Sequence, residues 1–185
     1  QTRVLDAVKF DGQENGVTLG RYPNGAPGLQ PLASVTQGTS NPPPALAPVV
    51  INEIMYHPIS GDDNDEYVEL YNRSGSAVNL SSWKLQGGVS FTFPSNTVLA
   101  ANSYLVIAEN LTNLLAKHPQ LNATNACGNY SGALANSGER IELAKSDDLI
   151  STNGPVVTTN IFYIAVDEVT YADGGRWGKW SDGGG

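Results

Sequence analysis

Apolar side chains in this chain recur at every second position, in runs too short for helices and bounded by turn residues. Residues 66–72 (EYVELYN) are the clearest case: Val68 and Leu70 fall on one side, Tyr67, Glu69 and Tyr71 on the other. A period of two is the mark of a strand that buries one face. Residues 49–56 (VVINEIMY) are apolar and β-branched, 139–144 (ERIELA) alternate, and 161–171 (IFYIAVDEVTY) form the last strong run. Residues 103–108 (SYLVIA) are nearly all apolar, as expected of a central strand. Gly87-Gly88 separates 83–85 (WKL) from 90–93 (SFTF), which predicts a hairpin.

Only one helix is expected. Leu111, Leu114 and Leu115 share a helical face, Asn110 can cap its start, and Pro119 ends it. Many short strands with turn signals between them predict an all-β sandwich or barrel. Trp83, two residues before Leu85, has the bulk to fill the space between two sheets.

The first 48 residues read differently. Val4 to Phe10 and Val17 to Tyr22 suggest two short strands, and seven of the eleven prolines fall in 23–48, which marks a connector. Residues 4–10 (VLDAVKF) echo 165–171 (AVDEVTY), and each is followed by a turn and an Arg-aromatic pair. The expected organisation is therefore a closing hairpin and Pro-rich connector over 1–44, a β-sandwich over 45–171, and a Gly-rich linker over 172–185. The 1–44 stretch is too short to bury a core of its own, so it is expected to pack on the sandwich or on a neighbouring sheet edge. The SDGGG end and the absence of a signal-peptide pattern in QTRVLDAVKF give the expectation of a piece of a larger protein.

Composition limits the partners. The formal net charge is −8 and the ten basic residues are scattered, so the chain lacks the basic footprint that nucleic acid or an anionic bilayer needs. No run reaches the ~18 apolar residues of a membrane span. Charged residues make up only 15%, against about 25% in soluble proteins generally; Asn, Ser, Thr and Gly must supply the polar surface, as in secreted or cell-surface β proteins. Cys127 is the only cysteine, which rules out an internal disulfide and, with only His57 and His118, a Cys/His zinc site. A lone cysteine of this kind reads as a small buried hydrophobe.

Several residues carry charge or aromatic character that a ligand can use. Asp62, Asp63, Asp65 and Glu66 are clustered, and hard oxygen ligands suit calcium, although the spacing is not that of an EF-hand. The plainer reading is a solvated loop between strands. Trp177 and Trp180, beside Arg176 and Lys179, can stack on sugar rings or pack against an adjacent domain. Glu53, Glu69, Glu139 and Asp167 lie in or beside strands, where outward-facing carboxylates are usual; no spacing identifies a catalytic pair. There is no Gly-x-Ser-x-Gly elbow for His57 or His118 to serve. Asn-x-Ser/Thr sequons occur at Asn72, Asn79, Asn110, Asn122 and Asn129.

Five blocks taken together resemble the lamin-tail domain, in the form found in bacterial extracellular proteins: 49–58 (VVINEIMYHP), 65–85 (DEYVELYNRSGSAVNLSSWKL), 91–110 (FTFPSNTVLAANSYLVIAEN), 132–145 (GALANSGERIELAK) and 166–171 (VDEVTY). The resemblance implies an all-β, immunoglobulin-like antiparallel β-sandwich with one short helix. It also implies an accessory module without catalytic machinery, extracellular or on the cell surface, whose partners are neighbouring domains of its parent protein or other extracellular proteins. No cofactor is implied, calcium at the acidic loop being the one ion considered. A carbohydrate-binding module, with or without calcium, is the alternative function. Nucleic-acid binding by animal relatives does not transfer to so acidic a chain, and fold alone does not settle function.

Overall fold

A computed structural model of the chain describes residues 7–8, 13–154 and 156–173. Contacts divide it into two units, Gln1–Ala47 with Asp147–Ile164, and Pro48–Ser146 with Ala165–Gly185.

In the first unit, β1 (Leu19–Gly20) pairs antiparallel with β2 (Gln30–Pro31). A bridge joins Leu32 to Pro44, and Leu32 is buried. A Cβ at Gly20 would lie 2.3 Å from Leu32 Cδ1, so a larger residue there would have to displace the buried Leu32 side chain. Asn41 fastens the strip through its Nδ2, which donates to Arg21 O at 3.0 Å. Pro31 in β2 and Pro44 at the bridge occupy positions where no N–H has to be donated.

The second unit is the sandwich. Its strands in chain order are β3 (Val49–Met55), β4 (Tyr67–Asn72), β5 (Val78–Asn79), β6 (Lys84–Gly87), β7 (Val89–Thr92), β8 (Val98–Leu99), β9 (Tyr104–Ala108), β10 (Ala126–Gly128), β11 (Ser131–Gly132), β12 (Arg140–Asn153) as far as Ser146 and β13 (Val156–Thr170) from Ala165 on, with one helix, α1 (Leu111–Lys117). One sheet has the order β10-β9-β4-β3 and the other β11-β7-β6-β12-β13, while β5 and β8 pair separately. The inward residues of both sheets meet in one cluster, with Val68, Leu70 and Ile107 from the first and Leu85, Ile141 and Leu143 from the second, all fully buried. Trp83 belongs to this cluster at 9% exposure, as its position in the sequence predicts.

The predicted hairpin forms, with Lys84 opposite Thr92 and Leu85 opposite Phe91. Gly87 adopts φ +113°, and a Cβ there would meet Arg140 O at 2.1 Å, so no other residue fits. The helix is as expected, with Asn110 Oδ1 accepting from Asn113 N at 3.1 Å. Two features differ from expectation. Strand β10 lies parallel to β9 in an otherwise antiparallel sheet, the helix and its following loop supplying the crossover. Strands β12 and β13 run 14 and 15 residues, well past ERIELA and the 161–171 run. Residues 148–154 and 156–161 in these strands and their turn are exposed on both faces, so no inward-outward alternation marks them.

A second, smaller cluster lies on the opposite face of the four-stranded sheet. Val106, Ala108, Leu114 and Ala126 are buried there, with Tyr67, Leu111, Leu115 and Leu121 packed against them. The short helix therefore covers the end of the face that the sandwich core leaves open. This is why SYLVIA is apolar on both sides.

Candidate functional site: a groove beside the helix

The acidic loop is held by protein donors. Asp62 caps the 3-10 turn Asp63–Asp65, its Oδ1 accepting from Asn64 N at 3.1 Å and Asn64 Nδ2 at 2.7 Å. Asp65 accepts from Lys117 Nζ at 2.5 and 2.7 Å, Ser60 Oγ at 2.5 Å and Asn113 Nδ2 at 2.7 Å. Burial acts to raise its pKa, but these bonds and the Lys117 charge outweigh it and hold the carboxyl below the usual range. Asp63 is exposed. Glu66 is not in a solvated loop at all: it is 1% exposed and accepts from Leu134 N at 2.9 Å and Tyr130 Oη at 3.1 Å. Burial pushes its carboxyl up, against the two hydrogen bonds. Asp62, Asp65 and Glu66 thus face different partners and Asp63 faces solvent, and no group of three or more metal-ligating side chains occurs among the described residues.

An open depression lies elsewhere, between α1 with its following loop and the outer face of the four-stranded sheet. It is an open groove of about 340 Å³. Val106, Leu114 and Leu121 form an apolar floor; Tyr67 and Tyr104 line it, and Glu53 and Glu69 stand on its strand side. His118, Gln120 and Asn125 close the helix side.

Strand register builds this arrangement. Glu53 lies directly opposite Glu69 across β3 and β4, Glu69 opposite Val106 across β4 and β9, and Tyr71 opposite Tyr104. The Tyr71 and Tyr104 rings stack at 4.7 Å and 26°, and Tyr104 is 49% exposed. The Tyr67 hydroxyl donates to Glu53 Oε1, and Asn52 Nδ2 donates to Glu69 Oε1 at 2.8 Å. Burial, with the Glu53 bond and the two carboxylates adding to it, pushes the Tyr67 phenol upward, so it stays a donor. Among the described residues neither Glu53 nor Glu69 makes an ion pair. Like charges directly opposite each other on a sheet are unfavourable, so this face holds unneutralised negative charge above an apolar floor.

The family model described as Lamin Tail Domain matches residues 42–161. The chain belongs to the lamin tail domain family. That assigns it the immunoglobulin-like sandwich already seen in its two sheets, in a family of generally non-enzymatic structural and interaction modules. A search of curated proteins gives no significant match.

Within this lamin tail domain the remaining polar residues serve the scaffold. Asp167 Oδ2 accepts from Ile51 N at 2.8 Å, and Glu139 Oε1 accepts from Ala135 N at 2.8 Å and Tyr171 Oη at 2.9 Å; these are inward roles that outer-face carboxylates would not have. Cys127 packs against the core, and burial pushes its thiol up to about 12, far from a nucleophile. His118 caps the end of α1, its N–H donating to Leu114 O. Asn72 is fully buried and hydrogen-bonded, so of the five sequons it is closed to glycosylation. Trp177 and Trp180 lie outside the described residues. The groove was only half legible: alternation places Tyr67, Glu69 and Tyr71 on one face, but nothing local sets Glu53 opposite Glu69 or brings Tyr104 and Leu121 beside them.

Proposed function

We propose that this domain is a non-catalytic interaction module that holds a polypeptide partner on the outer face of its four-stranded sheet, within a larger secreted or cell-surface protein. The groove beside α1 carries this reading. It joins an exposed aromatic ring, an apolar floor and two carboxylates, the mixture that binding surfaces use. Family membership supports a module that docks or spaces other domains, and the low content of charged residues, 15%, supports an extracellular setting.

Arrays of random peptides and of glycans, probed with the labelled chain, test this. Retention by a subset of peptides, lost when Tyr104→Ala is probed instead, is the expected result. Hits confined to glycans would replace it with the carbohydrate-binding alternative, and turnover of hydrolase substrates by the purified chain would overturn the non-catalytic reading.

A further inference from the structure

We infer that the groove takes an arginine side chain presented by the partner; this rests on the interaction-module reading above and gives it a ligand chemistry. Three observations converge. The strand side carries two carboxylates fixed opposite one another, Glu53 and Glu69, with no cation bound to either among the described residues. The floor beneath them, Val106, Leu114 and Leu121, is aliphatic. One face of the Tyr104 ring is taken by Tyr71, and the ring is otherwise half exposed.

A long side chain with an alkyl stem and a cationic head satisfies all three. The stem covers the floor and the head reaches the carboxylates, as amphipathic cationic side chains do. A planar guanidinium can bond both carboxylates and lie on a tyrosine face, and it sheds water more readily than an ammonium, which favours arginine over lysine. The net charge of −8 would draw such a partner in. The like-charge pairing of Glu53 and Glu69 is a standing cost in the free domain that the bound cation removes.

Amide NMR of the intact chain, titrated with N-acetyl-arginine amide, tests the assignment, with the N-acetyl-lysine and N-acetyl-citrulline amides as parallel arms. The expected result is saturable shifts at Tyr104, Val106, Leu121 and Asn125 with the arginine amide, weaker binding of the lysine amide, and none of the neutral citrulline amide. The double variant Glu53→Gln/Glu69→Gln should weaken arginine binding roughly fivefold or more while melting no lower than the parent, since it removes a repulsion. Equal response to citrulline, equal response to lysine, or no saturable shift overturns the arginine assignment. Peptides that are retained through Tyr104 yet lack arginine would sink this inference and leave the interaction-module reading standing.

Discussion

Asp167 of β13 accepts a hydrogen bond from the backbone N–H of Ile51 in β3 at 2.8 Å, joining strands of the two opposed sheets. The bond forms where the β3–β4 register slips between Ile51 and Glu53. β3 is the edge strand of its sheet and Ile51 sits opposite Leu70, so its N–H faces away from β4, and a carboxylate from the other layer supplies the partner. Asp167→Ala should destabilise the domain by about 1–3 kcal/mol, the cost of leaving a largely buried N–H unmet, whereas Asp167→Asn should retain most of the stability. Urea unfolding of the two variants checks this; equal losses would mean that the charge, and not the acceptor, matters.

Two carboxylates adjacent in sequence, Asp65 and Glu66, should give opposite pH dependences. The folded-state pKa of Glu66 is raised. The native state therefore holds that proton more tightly than the unfolded chain, and its contribution is present at acid pH and lost as pH rises through the folded value. The pKa of Asp65 is lowered, so its contribution is present above the ordinary aspartate range and lost as pH falls through the folded value. Glu66→Gln should flatten the decline on the alkaline side of the glutamate range, and Asp65→Asn should flatten the decline at acid pH. Denaturation midpoints across pH for the three proteins would show the two slopes exchanged if either assignment is wrong.

Asn72 organises the turn after β4. Its Nδ2 donates to Ser76 O at 2.8 Å and to Leu99 O and Ala100 O at 3.0 Å, and its Oδ1 accepts from Ser74 N at 3.0 Å and Ser74 Oγ at 2.7 Å. Asn72→Ala should cost about 1–3 kcal/mol. Asn72→Asp should be worse, because it sets a carboxylate against three carbonyl oxygens. Thermal melts rank the pair; an aspartate as stable as the parent would contradict the donor role.

How much of this was legible in the sequence follows from the range of the forces involved. Alternation is local, so β4, with Val68 and Leu70 inward, and the helix capped by Asn110 were readable, and so was the burial of Trp83. Glu66 was not: its burial depends on Tyr130 and Leu134, over sixty positions away. The far ends of β12 and β13 were missed because residues exposed on both faces carry no period. The groove fell between these cases. Its tyrosines were placed on the right face, but pairing of β3, β4 and β9 and the return of the chain through Leu121 were needed to assemble it.

The docking surface itself is tested most directly by the affinity of the strongest array peptide for two single variants, one on each outer face. Tyr104→Ala removes a half-exposed ring from the groove, while Thr92→Asp alters an exposed position on β7 of the five-stranded sheet. The expected result is about a tenfold or greater loss of affinity with Tyr104→Ala and an unchanged Kd with Thr92→Asp. Loss with Thr92→Asp and an unaltered Kd with Tyr104→Ala would contradict the account and move the binding surface to the other sheet.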